Sequence, residues 1–273
     1  MPELKVKGRL SPGPAEMPEH HRRHSGALPQ GGIEGLIDGQ RLRVPRGLTA
    51  LEAARSLGLA IPTLCHHQGL PPEGNCRVCL VEIGGRLVTS CMYPLRDNGF
   101  EIMTNSPAVR AGRRFVLTML VNRGPASPRL LALAAEYDAA PEPRFAGPEP
   151  DDLCIRCGRC VRACEINETS AISLVGRGRD RQVAGPFFQP PEDCVGCLAC
   201  AAVCPTGAIA YSEKDGRRSI WGRVFELLTC PDCGRPFATA EEWARSGGGE
   251  EPLCQVCRRQ ALAADLRTAL KHR

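Results

Sequence analysis

Sixteen cysteines divide without remainder into four quartets, and their spacing constrains this 273-residue chain more than any other feature. The first quartet is Cys65, Cys76, Cys79 and Cys91, spaced Cys-x10-Cys-x2-Cys-x11-Cys. The second (Cys154, Cys157, Cys160, Cys164) and the third (Cys194, Cys197, Cys200, Cys204) both read Cys-x2-Cys-x2-Cys-x3-Cys, an internal repeat offset by 40 residues. The fourth, Cys230, Cys233, Cys254 and Cys257, sets two CxxC knuckles 20 residues apart. Disulfide frameworks spread their cysteines, whereas metal sites gather them in pairs at tight turns. Four metal sites predict several small modules, because units below about 70 residues bury too little apolar surface to fold alone. An aromatic content of 4% and the 29 Gly and 24 Pro residues fit loops wrapped around metal rather than one large core.

Each spacing implies its own chemistry. A [2Fe–2S] cluster takes two thiolates per iron, and a long loop with one early ligand, a close pair and a distant fourth can wrap it. Gly74, just ahead of the pair, allows close backbone approach and N–H bonds to sulfur. Zinc is the bland alternative there, and His66 and His67 are surplus beside four cysteines. The repeated run is the bacterial ferredoxin pattern, in which each run supplies three ligands to one [4Fe–4S] cluster and its fourth to the other. The pattern implies Cys154, Cys157, Cys160 and Cys204 for cluster one, and Cys164, Cys194, Cys197 and Cys200 for cluster two. Pro205 follows Cys204, as the pattern requires, but Glu165 stands after Cys164; an unpaired carboxylate there would lower the potential of cluster two. Two knuckles at the fourth spacing make a tetrahedral four-thiolate site of the zinc-ribbon type at Cys230, Cys233, Cys254 and Cys257. Zinc is the default occupant, and a rubredoxin-type iron is the redox alternative.

Between the quartets, local patterns predict an α+β chain. Residues 1–30, rich in Pro, Gly, His and Arg, read as a disordered or partner-bound arm; His20, His21 and His24 within it read as a solvated polar run. Residues 31–104 form the first domain. Two short strands flank the Asp38-Gly39 turn, and Thr49 with Glu52 makes a capping box for a helix through Leu57, ended by Gly58. After the first cysteine loop, Val78–Ile83 reads as a strand that turns at Gly84-Gly85 into Leu87–Thr89. This order is that of a β-grasp ferredoxin. Residues 105–150 are a helical segment and linker. Its helix, Ser106–Val121, is expected to bury Val109, Phe115, Val116 and Leu120 with Arg110, Arg113 and Arg114 mostly opposite. A second helical piece spans 129–137, and 141–150 is the linker proper. The 2[4Fe–4S] ferredoxin domain covers 151–213, and a small zinc ribbon with a terminal helix over 258–271 completes 214–273.

The wording around the cysteines carries a family resemblance. Ile61-Pro62-Thr63-Leu64-Cys65-His66 and Gly74-Asn75-Cys76-Arg77-Val78-Cys79-Leu80-Val81-Glu82 resemble the N-terminal [2Fe–2S] domain shared by the large iron–sulfur subunit of complex I, the electron-transfer subunit of NAD(P)-linked [NiFe] hydrogenases, and related formate dehydrogenase subunits. Cys157-Gly158-Arg159-Cys160-Val161-Arg162-Ala163-Cys164-Glu165 is similar to the same group. The resemblance implies an electron-relay subunit of a cytoplasmic hetero-oligomer. A flavin subunit that handles NAD(P)H would stand on one side, and a catalytic hydrogenase or formate dehydrogenase subunit on the other. In the family, a motif of one histidine and three cysteines holds a further [4Fe–4S] cluster after the first domain. Here residues 92–153 contain no Cys and no His, so that cluster cannot be built.

No GxGxxG fingerprint or P-loop is present, so the chain is expected to carry electrons rather than to break substrate bonds. The formal charge of +5 counts every thiol as neutral; four thiolate-held sites at roughly −2 each bring the loaded chain to roughly −3. A basic nucleic-acid binder is therefore not implied. A freestanding polyferredoxin and an iron–sulfur regulator that binds nucleic acid through its ribbon are the alternative readings. No run of about 18 apolar residues predicts a membrane span, and Arg22-Arg23 lacks the apolar stretch of an export signal behind it. Reduced thiols and CxxC pairs point to the cytoplasm.

Overall fold

The computed structural model describes residues 32–124, 126–145, 151–249 and 251–271. The expected N-terminal arm and the end of the linker lie outside these residues. The first domain is a five-stranded sheet of order β2-β1-β5-β3-β4. Strands β1 (Gly32–Ile37) and β2 (Gln40–Pro45) form an antiparallel hairpin, with Asp38 and Gly39 both left-handed at its turn. Helix α1 (Ala50–Ser56) starts at Thr49, whose hydroxyl accepts from the Glu52 amide while the Glu52 carboxylate accepts from the Thr49 amide. Strand β3 (Leu80–Ile83) pairs antiparallel with β4 (Arg86–Thr89).

Strand β5 (Phe100–Met103) is central: it pairs parallel to β1 and antiparallel to β3. Sequence patterning does not reveal it, because four residues with a single buried apolar side chain, Ile102, carry little periodicity. The strand expected from Val78 begins instead at Leu80, since Val78 and Cys79 lie in a turn after left-handed Arg77. Alternate residues Ile33, Ile37, Leu42, Val44, Val81 and Ile102 face α1 residues Leu51 and Ala54 in one apolar core.

Helix α2 (Pro107–Arg123) is capped by the Ser106 hydroxyl at 3.2 Å from the Val109 amide. Its buried stripe differs from the expected one. Val109, Arg113, Leu117 and Val121 face inward at four-residue intervals, and Phe115 is 64% exposed. Arg113 occupies an interior position because its guanidinium is satisfied: it donates to the Leu80 carbonyl at 2.6 Å and to the Tyr137 hydroxyl at 2.9 Å. Helix α3 (Pro128–Ala135) packs beside α2 and contributes Leu130 and Ala134 to a second core. The segment that lacks Cys and His is therefore filled by apolar packing.

Helices α4 (Arg159–Ile166) and α5 (Ala199–Ala202) follow the CxxC turns of the repeat. The 40-residue offset recurs in the backbone: Arg156 and Gly196 are left-handed, and so are Gly158 and Leu198, which precede the two helices. Strands β6 (Ser173–Val175) and β7 (Gln182–Ala184) make a small ribbon between them. A four-stranded sheet of order β11-β10-β9-β8 follows, with β8 (Tyr211–Lys214), β9 (Arg217–Ile220), β10 (Arg223–Thr229) and β11 (Pro236–Thr239). Helices α6 (Ala240–Arg245) and α7 (Gln255–Lys271) close the described chain.

Gly196 marks where this sheet meets the third quartet. Its φ is +69°, and a Cβ there would sit 2.8 Å from the Phe225 ring and 3.0 Å from the Thr239 methyl. Gly216 has a similar φ of +72° with open space around it. Gly216→Ala is expected to cost about 1–2 kcal/mol from the left-handed backbone alone. Gly196→Ala is expected to cost about 1–3 kcal/mol more, from forced displacement of the sheet. Denaturant midpoints of the two variants check the difference.

Candidate metal centres

The first quartet straddles the two cores of the N-terminal half. Cys79 and Cys91 belong to the core under the sheet, Cys65 and Cys76 to the core under α2 and α3, and all four are buried. The Sγ atoms of Cys79 and Cys91 lie 3.3 Å apart. The amides of Cys65 and Cys76 donate to each other's sulfur at 3.3 and 3.4 Å. Thiols this crowded compete for protons. Donation from Cys76 and then Cys91 draws the Cys65 thiol down to about 2, and donation from Cys91 draws Cys79 down to about 6. Cys76 and Cys91 are pushed up, each first by its pairing with Cys65. Such a set fits a cationic, sulfur-seeking centre, which would take all four as thiolates. His67 Nδ1 accepts from the Gly69 amide at 3.1 Å and is already engaged.

In the repeated runs, the last cysteine of each lies beside the other run. Cys164 lines one cavity with Cys194, Cys197 and Cys200, walled by Ile172, Ile220 and Trp221. Cys204 lies close enough to Cys157 and Cys160 for its charge to raise both thiols. Burial is the larger cause there, and Cys157 is pushed up to about 11; burial likewise pushes Cys200 up to about 12. Cys164 Sγ accepts from the Ala171 amide and Cys204 Sγ from the Ala208 amide, both at 3.2 Å. The Asn167 side chain donates to Cys197 Sγ at 3.4 Å and the Trp221 indole to Cys200 Sγ at 3.5 Å. At Cys197 and Cys200, where burial raises the thiol, these side-chain N–H groups oppose the rise, and N–H groups aimed at sulfur suit a thiolate set that holds positively charged iron. Glu165 is exposed to solvent, where water screens its charge.

The fourth quartet closes on itself, with all four Sγ atoms within 4.8 Å of one another. The first knuckle is held by the Gly234 amide donating to the Cys230 carbonyl at 2.9 Å, and the Cys254 amide donates to Cys230 Sγ at 3.4 Å. Cys233 is the exposed member, and Arg235 beside it draws its thiol down to about 6. Phe237 and Leu253 pack on the cluster of cysteines, and Phe237 meets Trp243 edge to face at 5.7 Å.

Sequence patterning singles out neither Arg218 nor Arg223, yet these buried and half-buried arginines join the modules. Arg223 donates to the carbonyls of Pro191, Glu192 and Cys194. Arg218, 3% exposed, donates to the Gly196 carbonyl at 2.6 Å and pairs with Glu213 at 2.7 Å and Glu242 at 3.1 Å. Thr239 donates to the Val195 carbonyl at 2.6 Å. Burial raises Glu242, and the Arg218 charge opposes that rise. Arg218→Leu leaves two carboxylates and a carbonyl without their cation, and is expected to cost roughly 3–5 kcal/mol. Arg217→Leu removes only a solvent-exposed pair with Glu226 and is expected to cost less than about 1 kcal/mol. Thermal unfolding of the two variants measures the contrast.

Residues 33–107 match the 2Fe-2S iron-sulfur cluster binding domain family, and residues 153–208 match the 4Fe-4S dicluster domain family. A subunit of the NADH-quinone oxidoreductase of Rhizobium meliloti is 33% identical over 74% of this chain and 27% of its own length. NADP-reducing hydrogenase subunit HndD of Solidesulfovibrio fructosivorans is 35% identical over 72% of this chain and 38% of its own length. The NADPH-Fe(3+) oxidoreductase subunit alpha of Geobacter sulfurreducens is 34% identical over 72% and 26%. The chain thus spans about a quarter to two-fifths of the length of these curated relatives. A chain in the crystal structure of an NAD+-reducing [NiFe]-hydrogenase in the H2-reduced state superposes with a TM-score of 0.56 at 28% identity, covering 64% of this chain and 86% of that one. With a 2Fe-2S domain followed by a 4Fe-4S dicluster domain, this chain is a homologue of the iron–sulfur subunits of NAD(P)-linked hydrogenases and of complex I.

Proposed function

We propose that the chain is an electron-relay subunit of a cytoplasmic multisubunit oxidoreductase. It would pass electrons between a flavin subunit that handles NAD(P)H and a catalytic subunit of the hydrogenase or formate dehydrogenase type. The observation that carries this reading is the continuity of the donor sets. Cys65 and Cys76 of the first quartet share one buried core with Cys157 of the second, and Cys160 shares another with Cys200 of the third. Relatives that bear the names of NAD(P)-linked oxidoreductase subunits support the same reading. No helix among the described residues is long and apolar enough to cross a membrane.

On this reading the first domain is a β-grasp fold, and Cys65, Cys76, Cys79 and Cys91 hold a [2Fe–2S] cluster. Cys154, Cys157, Cys160 and Cys204 hold one [4Fe–4S] cluster, and Cys164, Cys194, Cys197 and Cys200 the other. Cys230, Cys233, Cys254 and Cys257 form a zinc ribbon, whose closed, compact donor set suits a metal without redox work. Bound iron–sulfur clusters supply one-electron carriers. The protein buries the sulfurs, aims amide and indole N–H groups at them, and keeps water from them. Each of these sets how readily a thiolate-bound centre accepts negative charge.

The purified chain is expected to contain about ten irons and one zinc, by metal analysis; about eleven irons without zinc would make the ribbon a rubredoxin-type site. Cys164→Ser is expected to remove the EPR signal of the cluster held by the third quartet and to spare that of the second quartet, from which it comes in sequence. Copurification tests the relay itself: recovery of a lone, stable monomer with no flavoprotein bound would defeat it.

A further inference from the structure

Helix α4 carries two arginines that reach the loop of the first quartet. Arg162 is 7% exposed. Its Nη2 donates to the Cys65 carbonyl at 2.8 Å and to the Cys157 carbonyl at 3.4 Å. Its Nη1 donates to the Pro71 carbonyl, and its Nε lies 3.0 Å from the Glu73 carboxylate, an ion pair without in-line hydrogen-bond geometry. Three of these partners come from the loop of the first quartet, and the fourth is a cysteine of the second. Arg159, one turn earlier, donates to the His66 carbonyl and, at 3.3 Å, to the Val203 carbonyl beside Cys204. The two loops approach so closely that a Cβ on Gly158, whose φ is +73°, would fall 2.8 Å from Glu73.

These contacts are more than a fold requires of one side chain. Burial of a guanidinium is costly unless its donors are used; the Nη donors of Arg162 are used on the main-chain carbonyls of Cys65, Pro71 and Cys157, and its Nε faces the Glu73 carboxylate. Arginine keeps its charge, and a buried charge is screened far less than a surface one. A thiolate-bound centre gains one negative charge on reduction, so a cation held against its loop favours the reduced form.

We propose that Arg162 is the positioning residue that couples the [2Fe–2S] centre to the first [4Fe–4S] centre. Its guanidinium fixes the Cys65 and Cys157 loops against each other, and its charge raises the reduction potential of both centres. The inference rests on the cluster assignment above but not on the identity of any partner subunit. It also accounts for how the two centres meet without the one-histidine, three-cysteine station between them.

Redox titration of the full chain with its clusters, followed by EPR, tests it. Arg162→Gln is expected to lower the potentials of the [2Fe–2S] and first [4Fe–4S] centres by about tenfold in the reduction equilibrium, which is about 59 mV for one electron. The centre lost in Cys164→Ser is expected to move less. Arg162→Lys keeps the charge and is expected to stay closer to the parent potentials. Glu73→Gln, at a side chain 37% exposed, removes the neighbouring anion and is expected to shift both potentials upward. That variant decides the matter if Arg162→Gln fails to retain clusters. A loaded Arg162→Gln with unmoved potentials, or Glu73→Gln with unmoved or lowered ones, overturns the proposal. A parent chain lacking the [2Fe–2S] or [4Fe–4S] signals overturns the cluster assignment and this coupling together. Failure to bind a flavoprotein, with the shifts present, overturns only the relay reading.

Discussion

Thiols held as close as 3.3 Å apart in a buried site cannot all ionise without a cation among them, and amide donors aimed at them favour ionisation of some. Protons are divided unevenly, as Cys65 and Cys79 against Cys76 and Cys91 show. A bound cation removes the conflict, because its charge offsets that of the thiolates and removes the reason for any of them to stay protonated. The fold is organised around that demand. Each apolar core contains cysteines as members, not as neighbours, so a metal held by them would sit within the core. The fourth quartet shows the extreme case: among the described residues, Phe237 and Leu253 are the partly buried apolar side chains packed against its thiols.

Metal explains the modules, and arginine explains how they are joined. Arg159 and Arg162 reach from α4 to the first cysteine loop, Arg223 crosses from β10 to the approach of the third quartet, and Arg218 ties β9 to Gly196 and to α6. In most of these contacts the acceptors are backbone carbonyls in cysteine loops, which have no ladder partner because the loops curl around sulfur. A forked donor with five N–H groups can satisfy several such carbonyls at once, where lysine would offer a single point.

Much of this is legible in the residues themselves. Spacing defines the four quartets, and the repeat of 40 residues reappears as paired left-handed positions, Arg156 with Gly196 and Gly158 with Leu198. The Thr49–Glu52 capping box is local chemistry and forms where its residues stand. Two features escape local reading because they depend on distant partners. The helical pattern of α2 puts Phe115 inside and Arg113 outside, but the Leu80 carbonyl and the Tyr137 hydroxyl, 33 and 24 residues away, make Arg113 the better occupant of the buried stripe. Strand β5 exists because β1 and β3 flank it, and its own four residues hardly announce it.

The four cysteine quartets can be read from the residues alone, because thiolate ligands must be close along the chain to pair at a turn, and that closeness is written in the spacing. By the same reading, residues 92–153 contain no Cys and no His. Only the tertiary structure decided how the modules meet. That Cys65 and Cys157 share a core, and that Arg162 stands between them, depend on contacts between residues up to 97 positions apart. Such contacts arise from the packing of whole elements, and no local pattern encodes them.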